Sequence, residues 1–214
     1  MELQGKIVHF LGDSITEGAG ASNLDHCYVT VLGRTYGLKQ ANNFGISGTR
    51  IARQLTPSEN PNRDRDYVER GALLPLEADA VVVFGGTNDY GHGDAPMGKF
   101  EDRTPNTFYG ALHCLYTELI ERFPTVPILV VTPTHRLGET QPTAPGKKVL
   151  ADYVDAILEV ARYYSLPVLD LFAVSGMQPA VPIIQETYMK DGLHPSDAGH
   201  AKLARLIAEA LQAL

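Results

Sequence analysis

Apolar positions fall into two rhythms that alternate along the chain. Residues 7–11 (IVHFL), 80–84 (AVVVF) and 128–131 (ILVV) are short, nearly continuous apolar runs rich in β-branched side chains. Such runs suit strands covered on both faces of a parallel sheet, where neither face needs a polar side. Residues 40–46 are more polar and predict a strand nearer an edge, and 168–171 predict a short fifth strand. Between these runs the spacing changes. Phe108, Leu112, Leu115, Leu119 and Phe123 recur every three or four residues, as do Leu150, Tyr153, Ile157, Ala161 and Tyr164. Leu203, Leu206, Ile207, Ala210 and Leu214 form a third such stripe, entered through Ser196, whose hydroxyl suits an N-cap. A helix over residues 25–36 is the least clearly patterned. Five strands joined by helical crossovers predict a doubly wound, three-layer α/β/α domain spanning residues 1–214.

Four segments read as long loops: 56–66, 91–105, 134–146 and 174–192. The last three follow strands in the chain, so they are expected at the carboxyl edge of the sheet, where open α/β folds bind ligands. No internal repeat or low-complexity stretch interrupts the pattern.

Composition narrows the function. The 214 residues carry 18 Lys and Arg against 25 Asp and Glu, a net charge of -7, with no basic stripe to neutralise phosphates. A nucleic-acid partner is therefore not expected. The longest apolar runs fall far short of a membrane span. The first residues enter a strand without a basic, then apolar, leader, so a cytoplasmic location is expected, with a processed secreted form the alternative. Cys27 and Cys114 are expected to be reduced thiols. Exposed strand-edge and helix surfaces permit a homo-oligomer.

Candidate chemistry starts where the first strand ends, at Gly12-Asp13-Ser14. A serine in a glycine-containing turn after a buried strand can face a pocket, but such a turn alone is also ordinary structure. Near the other end of the chain lies Asp191-Gly192-Leu193-His194. A nucleophilic serine needs a base, and an imidazole needs an acceptor to fix its tautomer; an aspartate three residues earlier can supply it. His200 is the rival base, but it falls inside the last helical stripe. Gly48 follows the second strand and Gly85-Gly86-Thr87-Asn88 the third, offering a backbone N–H and a side-chain amide to a developing oxyanion. Each block by itself is also readable as a turn.

Together, and in this order, Gly-Asp-Ser, the glycine after the second strand, Gly-x-Asn after the third and Asp-x-x-His near the end resemble the SGNH (GDSL-type) hydrolase family. The resemblance implies a flavodoxin-like sandwich around a five-stranded parallel sheet. It implies Ser14 as nucleophile, His194 as general base and Asp191 as its orienting acid, with Ser14, Gly48 and Asn88 as oxyanion donors. No metal or other cofactor is implied. The GDSITEG turn resembles bacterial acylhydrolases and acetyl-carbohydrate esterases as much as lipases with a Gly-Asp-Ser-Leu turn.

The expected function is hydrolysis of a small-molecule carboxylic ester, with a short acyl group such as the acetyl ester of a carbohydrate, since no loop carries a long apolar run. A lysophospholipase or thioesterase-type acylhydrolase is the alternative within the family. A carbohydrate-binding protein with a vestigial site is the non-enzyme alternative. A metal phosphoesterase built on Asp13, Asn88, His92, Asp191 and His194 would need close His-x-His or Asp-x-His ligand pairs, and the sequence has none. Asp13, Tyr90 and His135 are candidate substrate-binding residues. Asp13 also reads as a structural acceptor of backbone N–H groups, and Tyr90, His92, Met97, His135 and Arg136 read equally as loop packing.

Overall fold

The computed structural model describes residues 1–214. Successive side chains of its strands serve two different cores. In β1 (Ile7–Gly12) Val8 and Phe10 join one hydrophobic cluster and Leu11 the other. β3 (Ala80–Phe84) and β4 (Ile128–Val131) divide in the same way, Val81, Val83, Ile128 and Val130 on one face, Ala80, Val82, Leu129 and Val131 on the other. This double duty is why these segments carry no polar alternation. β2 (Gln40–Gly45) has no fully buried residue and forms one edge; β5 (Val168–Leu169) forms the other. All pairings are parallel, in the order β2-β1-β3-β4-β5, the flavodoxin-like arrangement.

Helices cover both faces. α2 (Tyr28–Thr35) and α9 (Asp197–Gln212) pack on one through Leu32, Leu203, Ile207 and Leu211. α3 (Tyr67–Gly71), α5 (Phe108–Arg122) and α6 (Leu150–Tyr163) pack on the other through Tyr67, Leu112, Leu115, Tyr153 and Ile157. As the spacing of α9 suggests, Ser196 caps it, its hydroxyl accepting Gly199 N–H at 3.4 Å. His200 is fully buried in α9: its Nδ1 accepts Tyr28 N–H at 3.3 Å and its Nε2–H donates to Ala19 O at 3.1 Å. It is a packing residue that joins α9 to the start of α2. No helix is long and apolar enough to cross a membrane, and Cys27 and Cys114 are free.

Five short helices depart from the expected pattern: α1 (Ser14–Glu17), α3, α4 (Thr87–Gly91), α7 (Leu171–Val174) and α8 (Pro182–Tyr188). The strand expected over 168–171 stops at Leu169 because the Asp170 carboxylate accepts Ala173 N–H at 3.3 Å and caps α7. The expected loop 174–192 contains α8. The expected loop 56–66 contains a 3-10 turn at Pro61–Asp64, the expected loop 91–105 is irregular after Gly91, and side chains satisfy their backbone. Asp94 accepts Leu55 N–H and Thr56 N–H, both at 2.7 Å, and ties the two loops together.

Candidate active site

β1 carries Ser14 to the carboxyl edge of the sheet. The chain turns there because Asp13 accepts Ile15 N–H at 3.0 Å and caps α1, which makes Ser14 the first residue of a helix. Gly12 permits the tight return: a Cβ on it would lie 1.8 Å from Thr16 Oγ1. A first helical residue keeps its N–H unpaired within the helix, and Ser14 N–H donates to no protein acceptor.

His194 reaches the same place from the far end of the chain. Asp191 Oδ1 accepts Leu193 N–H at 2.9 Å and His194 N–H at 2.7 Å, closing a turn that fixes the backbone below the imidazole. Asp191 Oδ2 lies 2.7 Å from His194 Nδ1. A proton on Nδ1 leaves Nε2 as an acceptor, and Ser14 Oγ, 3.1 Å away, donates to it. Burial pushes the Asp191 carboxyl up, but the hydrogen bonds from the His194 ring and from the His194 and Leu193 backbone outweigh it. They hold Asp191 below the usual carboxylate value, in its charged form.

A second wall is formed by the turn after β2 and by α4. Gly48 takes φ +78, the left-handed region, and its N–H donates to no protein acceptor. Asn88 is buried; its amide donates one hydrogen to Thr49 O at 2.9 Å, which leaves the second free. Three donors at the edge near Ser14 are thus uncommitted: Ser14 N–H, Gly48 N–H and one Asn88 N–H.

Several side chains that the sequence analysis did not single out hold this wall. Glu17 accepts Ser47 N–H at 2.9 Å and the Ser47 hydroxyl. The buried Arg70 donates to Thr49 Oγ1 at 2.8 Å, to Gly12 O at 2.9 Å and to Phe44 O, and so joins the ends of β1 and β2 to the turn. Asp89 accepts Ile51 N–H at 3.0 Å and Ala52 N–H at 2.8 Å. Glu17 and Asp89 had local signals, Glu17 inside the GDSITEG turn and Asp89 beside Asn88. Arg70 stands 58 residues from Gly12, and no sequence spacing announces such a contact.

The candidate substrate-binding residues sit as follows. Asp13 is buried with its carboxylate on Ile15 N–H, and burial pushes it up to about 6. The Tyr90 hydroxyl donates to Gly138 O at 2.6 Å and Gln141 O at 2.9 Å. His135 Nδ1 is 2.7 Å from Glu139 Oε1, and its ring packs on Phe172 at a 36° tilt with centroids 3.9 Å apart. Tyr90 and His135 thereby fasten the loop at 134–146, and neither hydrogen-bonds to Ser14 or His194. No group of three or more His, Cys, Asp and Glu side chains is placed to hold a metal ion.

A hydroxyl hydrogen-bonded to an oriented imidazole, beside uncommitted N–H donors, is an arrangement suited to acyl transfer. Comparison with known proteins agrees in kind. The model of the GDSL-like lipase/acylhydrolase family matches residues 10–202. A Lactobacillus plantarum protein of solved structure is 33% identical, with TM-score 0.84 over 98% of each chain. A two-domain esterase active on acetylated mannans is 22% identical with TM-score 0.66, over 97% of this chain and 48% of that one. A carbohydrate acetylesterase family member from Sinorhizobium meliloti is 18% identical with TM-score 0.63, over 97% and 98%. At such identities the last two share the fold. No curated protein matches the sequence. The chain belongs to the GDSL-like lipase/acylhydrolase family.

Proposed function

We propose that the protein is a metal-independent serine esterase that removes short acyl groups, acetyl above all, from a carbohydrate or similar small alcohol. The observation that carries this reading is the unbroken line from Asp191 to His194 Nδ1, and from His194 Nε2 to Ser14 Oγ. His194 takes the Ser14 proton as Oγ attacks the ester carbonyl. The oxyanion collects the free N–H groups of Ser14, Gly48 and Asn88. His194 returns the proton to the departing alcohol, leaving an acyl-serine. Water, deprotonated by His194, then releases the acid and restores Ser14. Asp191 stabilises the imidazolium in both halves.

Two observations support a polar alcohol. A cavity of about 170 Å³ beginning at His194 and Asp191 has no hydrophobic residue in its wall. It shares Gly20, Lys190 and Ser196 with a second, mostly polar cavity of about 430 Å³ that extends to Ser22 and Asp197. The leaving alcohol departs beside His194, and these hollows, walled by Lys190, Asp191 and Ser196 and not by Ser14, are the open space on that side of the imidazole. Of the fold neighbours named above, one is active on acetylated mannans and another is a carbohydrate acetylesterase family member.

Labelling by a fluorophosphonate probe, lost in Ser14→Ala, tests the nucleophile; absence of labelling in the wild type overturns it. A series of 4-nitrophenyl esters beside acetylated sugars tests the acyl group. Greatest kcat/KM at C2 to C4 is expected, and a maximum at C8 or beyond favours the lysophospholipase or thioesterase alternative instead. Full turnover in EDTA is expected; loss restored by added metal overturns the metal-free mechanism.

A further inference from the structure

The protein is acidic overall, yet its catalytic edge collects basic side chains that have no acidic partner. Arg136 donates through Nη1 to Thr87 O at 3.1 Å and Thr87 Oγ1 at 3.2 Å, next to Asn88. Its chain neighbour Leu137 donates its N–H to Gly192 O at 2.8 Å, between Asp191 and His194. Arg136 therefore lies where the wall carrying Asn88 meets the loop carrying His194. Its buried Nε has no hydrogen-bond partner, and its charge pairs with no carboxylate. On the opposite wall the exposed Arg63 lies over Gly48: a Cβ there would meet Arg63 Cγ and Cδ at 2.9 Å. The Arg63 guanidinium makes no hydrogen bond or ion pair.

His92 stands among these cations as a fixed donor. Arg50 Nη1 donates to its Nδ1 at 3.0 Å, so the ring proton lies on Nε2, which has no protein partner. Burial, with Arg50, Arg63, Lys147 and Arg136 around it, pushes His92 down to about 4, so at neutral pH it is an uncharged donor. The carboxylates in the same neighbourhood are already occupied. Asp13 and Asp89 hold backbone N–H groups, Asp191 holds His194, and Glu139 holds His135, Gln178 and the Arg136 backbone. Asp64 holds Arg50. Arg63, His92 Nε2 and Arg136 thus offer donors that no carboxylate of the protein occupies, while the exposed Glu17 carboxylate on the Gly48 wall is held by Ser47.

We infer that Arg63, His92 and Arg136 form a subsite for a carboxylate carried by the substrate a few bonds from its ester carbonyl. This deepens the esterase reading and rests on it. A planar guanidinium matches a carboxylate better than a point charge does. The substrate class is then an acidic ester, such as the acyl ester of a sugar acid or a half-ester of a dicarboxylic acid.

The test uses two matched pairs of esters with the purified full-length protein. Mono-4-nitrophenyl succinate against 4-nitrophenyl butyrate places the carboxylate on the acyl part. 4-Acetoxybenzoate against phenyl acetate places it on the alcohol part. Each kcat/KM is divided by the ester's hydroxide-catalysed rate constant, and the charged-to-neutral ratio is read. A ratio above one is expected in at least one pair. That ratio should fall about tenfold in Arg136→Gln or Arg63→Ala, the scale of one charge-assisted hydrogen bond, and it should also fall with added salt. Arg63 is exposed and unpaired, so its substitution keeps the test decisive if Arg136→Gln does not fold. A ratio at or below one in both pairs, or one that neither substitution lowers, overturns the subsite. Turnover of 4-nitrophenyl butyrate that is lost in Ser14→Ala upholds the esterase reading whatever the ratio. A protein that turns over none of the four esters loses both.

Discussion

Glu17 and Ser47 couple the helix that begins with Ser14 to the turn that carries Gly48: the Glu17 carboxylate accepts both the Ser47 N–H, at 2.9 Å, and the Ser47 hydroxyl. Glu17 is exposed and touches nothing that reacts, so its role is to position. Glu17→Ala should lower kcat about tenfold by letting the Gly48 N–H wander, since small misplacements near reacting atoms are costly. Glu17→Gln, which can still accept, should recover part of it. A melting temperature close to wild type, measured alongside, separates loss of position from loss of fold. An unchanged kcat in Glu17→Ala would remove Glu17 from the site.

Asn88 offers one hydrogen to Thr49 O and the other to the site. Asn88→Ala should reduce kcat by roughly 10²–10³, the usual cost of an oxyanion donor, with a much smaller effect on KM. Steady-state kinetics on a short aryl ester checks this. A fall confined to KM would mean that Asn88 binds the ground state only.

Asp13 and Asp89 are both buried, and burial pushes each up to about 6. A carboxyl whose folded value is raised holds its proton more tightly in the folded protein. Its contribution favours folding near pH 4 and is lost as pH rises towards 6. Asp13→Asn keeps an oxygen for Ile15 N–H and removes the buried charge. Relative to wild type it should gain about 3 kcal/mol between pH 4 and pH 7. Asp89 uses both oxygens, on Ile51 and Ala52. An asparagine there sets an N–H donor against one of those N–H groups, so Asp89→Asn should be the less stable variant at pH 7 by at least about 1 kcal/mol. Urea unfolding at several pH values decides, and equal midpoints at pH 7 would contradict it.

Arg70 is buried without a carboxylate and serves three acceptors, Thr49 Oγ1, Gly12 O and Phe44 O. Arg70→Met fills most of the volume and leaves them unsatisfied. A loss on the order of 3 kcal/mol in unfolding free energy is expected. A stability within about 0.5 kcal/mol of wild type, the range of ordinary surface substitutions, would show that water replaces the guanidinium without cost.

The strands at 80–84 and 128–131 were legible because both faces of each are buried, so hydrophobicity alone marks them. The edge strand was legible by contrast, as a polar run where a strand was needed. α4 spans five residues, too few for a helical stripe to repeat. In α8 Ile183 is 64% exposed, so its apolar residues mark no buried face. At the site, Ser14, Asp191 and His194 stood out because each lies in a short local motif. Arg70 and Glu17 act through contacts across the sheet edge that only the folded chain brings together. Tyr90 illustrates the same limit: its hydroxyl is committed to carbonyls 48 and 51 residues away.

Ser14 and His194 are 180 residues apart in the chain, yet 3.1 Å separates their reacting atoms. During synthesis the serine emerges early, and the base comes only with the turn before the final helix. On the proposed mechanism, a chain that still lacks that turn holds a serine that nothing yet deprotonates. No ester is cleaved on that mechanism until α9 packs beside α2 and His194 reaches Ser14. If the proposed mechanism holds, ester turnover is a receipt for completed folding, and its appearance on refolding should follow the slowest long-range closure of the chain.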